Sequence, residues 1–143
     1  MIKTHKLPVN ILDLLPGAVD YLKAHPKVIF SYLFGGLAKY QPLPLSDVDI
    51  AVYLKRDSNF AECKLDILGQ LMDVLHTDEI DLVILNRADI SLVFNILKSK
   101  KIIVDKNPFE RHRFESLMMR KSFDFSHKEL NQLRRRYLQG SNH

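Results

Sequence analysis

The chain has 143 residues, 46% of them apolar and 27% charged, with five glycines, six prolines and one cysteine. That length suits one domain with its own core, the composition excludes a disordered or fibrous chain, and the lone Cys63 excludes an internal disulfide or a multi-cysteine metal cluster. The formal charge of +4 is unevenly spread, since residues 1–97 carry nine Lys/Arg against twelve Asp/Glu and residues 98–143 carry twelve against five.

A basic C-terminal part suits nucleic acid, an acidic partner or simply a solvated helical face. No apolar run approaches the roughly 20 residues of a membrane span. Met1 to Pro8 lacks the apolar stretch of a signal peptide, so the expected location is the cytoplasm, away from any membrane.

Residues 10–24 read as a helix, with Asn10 as N-cap and Ile11, Leu12, Leu15, Val19 and Leu22 at helical spacing. Pro16 is expected to break or restart it. Val28 to Phe34 is a short, nearly continuous apolar run, a buried strand that stops at Gly35-Gly36. Residues 37–46, with Pro42 and Pro44, form a loop that opens on a helical turn. Asp47 to Leu54 alternates, with Val48, Ile50, Val52 and Leu54 opposite Asp47, Asp49, Ala51 and Tyr53, which predicts a half-buried strand.

Asp57 or Ser58 is the expected cap of a helix reaching Leu75, with Phe60, Ala61, Leu65, Leu68, Leu71, Met72 and Leu75 facing the core. Glu79 to Leu85 reads as a third strand, in which Asp81 lies opposite Ile80, Leu82 and Ile84. A helix over 89–98 and a short strand over 101–104 follow. Beyond Asn107-Pro108 the chain reads as helical to about Leu138, with an interruption near Ser126. The expected fold is α/β (α+β), a small mixed sheet flanked by helices with a C-terminal helical tail. We divide it as a core over 1–107 and an extension over 108–143, packed on the core or on a partner.

The chemistry concentrates in Leu33-Phe34-Gly35-Gly36-Leu37-Ala38-Lys39 and Ser46-Asp47-Val48-Asp49-Ile50-Ala51-Val52. Alternation places Asp47 and Asp49 on one strand face, where both can hold cations. Magnesium takes one or two carboxylates and completes its shell with water and substrate phosphates. Gly35 and Gly36 let the backbone turn sharply close to a ligand, and a helical turn starting there offers free N–H groups to a polyphosphate. Lys39 adds a point charge one turn on, and Ser46 borders Asp47 in the same candidate nucleotide-binding set. Asp81 would complete a carboxylate triad able to hold two metals about 3.5–4 Å apart. Each part alone also suits an ordinary solvent-facing strand or turn; the conjunction carries the signal.

That order, Gly-Gly, ten residues, Asp-x-Asp and a later Asp, resembles the nucleotidyltransferase superfamily that includes DNA polymerase beta. Within it the chain is similar to the minimal nucleotidyltransferases, antitoxin partners of HEPN-domain toxins. Ile96-Leu97-Lys98, Ile102-Ile103-Val104, Phe114-Glu115 and Phe123-Asp124-Phe125 extend the similarity along the tail. The resemblance implies magnesium-dependent transfer of AMP from ATP to a tyrosine hydroxyl of a HEPN-type RNase toxin, which silences it within a hetero-oligomer. It also implies Asp47, Asp49 and Asp81 as metal ligands, Gly35 and Gly36 as the phosphate-binding turn, and Asp81 as the group that orients or deprotonates the hydroxyl.

Two departures matter. Gly36 stands where the subfamily usually has Ser, removing a hydrogen bond worth roughly 1.5–3 kcal/mol to a charged group. The usual basic residues of the next turn reduce to Lys39. An alternative is therefore a weak or inactive nucleotidyltransferase fold that neutralises a toxin by occlusion. A third reading is transfer to RNA or a small molecule, with the basic tail holding the acceptor. P-loop, Rossmann and Gly-x-Ser-x-Gly signatures are absent. The six histidines lack zinc-binding pair spacing, and Cys63 reads as packing.

Overall fold

Two apolar sets that alternate along the strands feed two cores, one on each face of a single sheet. The computed structural model describes residues 10–38 and 47–141. In chain order they form α1 (Ile11–Ala24), β1 (Val28–Phe34), α2 (Gly35–Ala38), β2 (Val48–Leu54), α3 (Phe60–Leu75), β3 (Ile80–Ile84), α4 (Ile90–Ser99), β4 (Lys101–Asp105) and α5 (Pro108–Ser141). The sheet order is β3-β2-β1-β4. β1 runs antiparallel to both β2 and β4, while β2 and β3, joined through α3, are parallel. This is the mixed sheet flanked by helices that the sequence predicts.

Val48, Ile50, Val52 and Leu54 of β2 meet Ile11, Ala18 and Leu22 of α1 and Ile67, Leu71 and Leu75 of α3 in the first core. Ala51 and Tyr53, on the other face, meet Phe30, Tyr32, Val93, Ile96 and Phe114 in the second. Here Phe30 and Tyr53 stack with centroids 4.7 Å apart, and Phe114 leans on both at 5.7 and 5.1 Å. Because α4 and α5 cover that face, β2 is buried on both sides from Ile50 onward rather than half-buried. Each such side chain contributes about 1.5–3 kcal/mol on burial.

Three local expectations change. Pro16 lies inside α1 without breaking it. Its missing N–H forfeits one bond, to the carbonyl of Leu12 in the first turn, and Leu12 is exposed to water. Buried Ile11 on one side and Ala18 and Leu22 on the other hold both halves of the helix on the core. α3 starts at Phe60, where the Asn59 side chain accepts the Glu62 N–H at 3.1 Å. Its buried stripe is Ile67, Leu71 and Leu75, one turn apart, leaving Leu65 73% exposed. The tail helix has no interruption near Ser126, because no proline or glycine falls there.

α5 begins with Pro108 in its first turn, with Asn107 Oδ1 accepting the Glu110 N–H at 3.1 Å. Phe114, Arg111 and Ser122 are buried, whereas Phe109 and Phe123 are 78% and 70% exposed. No helix among the described residues is long and apolar enough to cross a membrane.

Candidate functional site

The end of β1 and the starts of β2 and β3 meet at one end of the sheet. Antiparallel pairing sets Phe34 opposite Asp49, and parallel pairing sets Asp49 opposite Asp81. Neighbouring strands lie about 4.8 Å apart, so the Asp49 and Asp81 backbones stand shoulder to shoulder with side chains on the same face. Asp47 precedes β2 by one residue; it and Asp49 are half-buried, and Asp81 is exposed.

Gly35 follows directly after Phe34 with φ +71°. A Cβ there would collide with the Asp49 carboxylate, standing 3.1 Å from its Cγ. Glycine is therefore required twice, for the left-handed backbone and for the space that Asp49 fills. α2 continues through Gly36, half-buried, to Leu37, whose burial anchors the turn in the first core. Four residues are too few for a substantial macrodipole, although the N–H groups of a helix's first turn have no partner within the helix itself. Lys39 and Ser46 lie outside the described residues.

Among the described residues, no group of three His, Cys, Asp or Glu side chains forms a ready metal cage. The donor set nonetheless suits magnesium: hard carboxylate oxygens, with two of their bearers in register, are what an ion needs when it arrives with its own phosphates.

Asp81 also opens into a groove of about 760 Å³ along the outer side of β3. Phe60, Ala61 and Lys64 of α3 form one wall, and Ala88 and Leu92 the other. The Arg87 guanidinium caps the Phe60 ring at 5.1 Å from its centroid. Lys64 and Arg87 do not stand out in the sequence, because only the folding of α3 and the β3 turn around one strand edge brings them together. The one available signal is that Arg87 lies in the turn three residues after the end of β3.

On the same sheet face, a polar cluster ties α5 down. Glu115 accepts from the Tyr32 hydroxyl at 2.6 Å, from Lys100 Nζ at 2.7 Å and from Arg111 Nη1 at 3.1 Å. Arg111 Nε also reaches Asp105 at 3.0 Å. Burial alone would push the Glu115 carboxyl up, but the Lys100 and Tyr32 hydrogen bonds and the two cations hold it below the usual carboxylate range. Burial, then the bond to Glu115, pushes the Tyr32 phenol far above its ordinary value. Tyr32 is therefore a neutral donor at any working pH.

A protein-family model described as polymerase beta, nucleotidyltransferase matches residues 18–109. Among solved structures, the chain is similar to one in the MntA–HepT toxin–antitoxin complex, with 22% identity, a TM-score of 0.57, and coverage of 87% of this chain and 91% of that one. A toxin–antitoxin structure with AMP-PNP matches at 21% identity and TM-score 0.58, covering 92% and 98%. A complex of tri-AMPylated Shewanella oneidensis HEPN toxin with its MNT antitoxin matches at 21% and 0.58, covering 87% and 90%. At these identities the likeness is one of fold. No curated protein matches the chain.

Proposed function

Since the chain belongs to the polymerase beta nucleotidyltransferase family, we propose that it is an antitoxin that transfers AMP from ATP to a tyrosine hydroxyl of a HEPN-type partner toxin and so neutralises it. The observation that carries this reading is the in-register pair Asp49 and Asp81 beside a glycine bend whose missing Cβ is replaced by the Asp49 carboxylate. The similar folds of a toxin–antitoxin structure with AMP-PNP and of a complex of AMPylated HEPN toxin with MNT antitoxin support the nucleotide and the acceptor class.

The division of labour follows from placement. Gly35 and Gly36 turn the backbone so that first-turn N–H groups face the triphosphate. Asp47, Asp49 and Asp81 would hold magnesium, which when bound offsets the triphosphate's charge and favours its in-line geometry. Asp81, the exposed member at the strand edge, meets the incoming hydroxyl and takes its proton. The hydroxyl oxygen bonds to the α-phosphorus while the bond to the β-phosphate oxygen breaks, and pyrophosphate leaves. Asp49, paired with β1 on one side and β3 on the other, and Asp47, just before β2, serve positioning.

The test is incubation with labelled ATP, magnesium and the protein encoded beside this one, followed by mass analysis of both chains. Gains of whole AMP units on the partner are expected, and Asp49→Asn should abolish them while leaving the melting temperature within a few degrees. Gly36, lacking a hydroxyl, favours a second reading in which the fold silences its partner by occlusion. Full neutralisation by an Asp47→Asn, Asp49→Asn double variant would select that reading.

A further inference from the structure

β3 is an outer strand of the sheet, and its hydrogen-bonding direction is readable residue by residue. The Glu79 carbonyl accepts from Val48 N–H and the Leu85 N–H donates to the Val52 carbonyl, both toward β2. In a parallel strand the N–H and C=O of one residue point the same way and alternate along the chain. Ile80, Leu82 and Ile84 therefore aim their backbone groups outward, into the groove. Among the described residues, the Ile84 carbonyl is taken by the Arg87 N–H at 3.1 Å, which leaves both groups of Leu82 and the Ile84 N–H facing the groove, with those of Ile80 just beyond its end.

The walls of that groove are chemically unequal. Asp81 stands near one end, at the start of β3, and Arg87, stacked on Phe60, closes the other. Lys64 lies one helical turn beyond Phe60 on the same wall. Among the described residues, neither Lys64 nor Arg87 pairs with a carboxylate. Leu92, 39% exposed, and Ala61 supply apolar surface between the charges. A bare strand edge with apolar walls and two cations fits an extended peptide better than RNA, which needs phosphate contacts along its whole length.

We propose that the outer edge of β3 docks the acceptor protein by strand addition: an extended segment bonds to the Leu82 and Ile84 backbone, places its hydroxyl at Asp81, and sets acidic residues on Lys64 and Arg87. This rests on the transfer reading above. The distance from Asp81 to Leu85, about 13 Å along the strand, puts the acidic residue that meets Arg87 four or more positions from the modified hydroxyl, and the one that meets Lys64, a turn nearer Asp81 on α3, before it.

The experiment uses the full chain, without nucleotide or metal, and a fluorescein-labelled heptapeptide, Tyr-Thr-Val-Thr-Val-Glu-Glu, read by fluorescence anisotropy. Saturable binding is expected, weakened about tenfold or more by Lys64→Glu with Arg87→Glu and by Gln-Gln in place of the peptide's Glu-Glu. N-methylation of alternate peptide amides should abolish binding in one of the two alternations and spare it in the other. Absence of binding, unchanged affinity in the double variant, indifference to N-methylation in both alternations, or full displacement by a uridine hexanucleotide would each overturn the proposal. Peptide binding that persists while no AMP is transferred would sink the transfer reading and spare the groove. Loss of peptide binding with transfer intact would do the reverse.

Discussion

Gly35 concentrates more constraint than any other residue near the site. Its φ of +71° lies where side-chain-bearing residues are strained, and the volume a methyl would take belongs to the Asp49 carboxylate. Gly35→Ala should therefore do two things at once. It should cost about 1–3 kcal/mol of stability through backbone strain and crowding, and it should push the Asp49 carboxylate from its place beside Asp81. Urea midpoints give the first effect. Transfer rates measured where both proteins remain fully folded give the second, and a variant that loses stability but keeps its rate would show that Asp49 tolerates displacement. Part of this was legible in the sequence. Strand alternation announces that Asp49 and Asp81 each lie opposite the core residues of their strands, and a glycine pair at a strand end announces a sharp bend. What the sequence does not carry is that Gly35 touches Asp49, since that contact depends on β1 and β2 pairing with Phe34 opposite Asp49.

At the scale of elements, the apolar patterns of β1, β2 and β3 were readable because burial imposes a period of two on a strand. The phase of α3 was harder. Leu65, Ile67 and Leu68 crowd one turn, and only packing against the sheet selects Ile67 over Leu65. Pro16 misleads for a related reason, because a local rule is overridden by the core contacts on either side of it. That the tail packs on the core or on a partner is readable in the sequence, but the contacts that attach α5 are not. Its polar cluster joins Tyr32, Lys100, Asp105, Arg111 and Glu115 from three elements and the turn before β4. The Glu115 carboxylate is favoured in the folded chain, so its stabilising contribution is complete above the ordinary carboxylate range and fades as pH falls through the lowered folded value. Glu115→Gln should thus be less stable than the wild type at neutral pH, with the gap narrowing as pH drops below about 4. Melting temperatures between pH 7 and pH 3 check this, and a gap that widens in acid would contradict the assigned sign.

For the whole molecule, the course of α5 matters most. Arg111 meets Asp105 at the end of β4, and four residues later Glu115 meets Tyr32 and Lys100, near the strand ends that carry the site. The helix therefore crosses the sheet in the direction of β1 and leaves it at the end with the glycine bend and the carboxylates. Ser122 is its last buried residue among those described, and the stretch from there to Ser141 extends about 29 Å further at 1.5 Å per residue. A chain ending at Asp124 should keep the fold, because Phe114 and Glu115 remain in place. It should also keep nucleotide affinity while raising KM for a protein acceptor; calorimetry with AMP-PNP and initial rates separate the two, and equal KM values would rule out the tail as a holding element. A macromolecule gripped by that projecting arm is tethered on the chemical side of the domain. Its reactive group then samples the site at the millimolar effective concentration of a short tether, so even feeble recognition at the point of transfer would suffice once the arm is occupied.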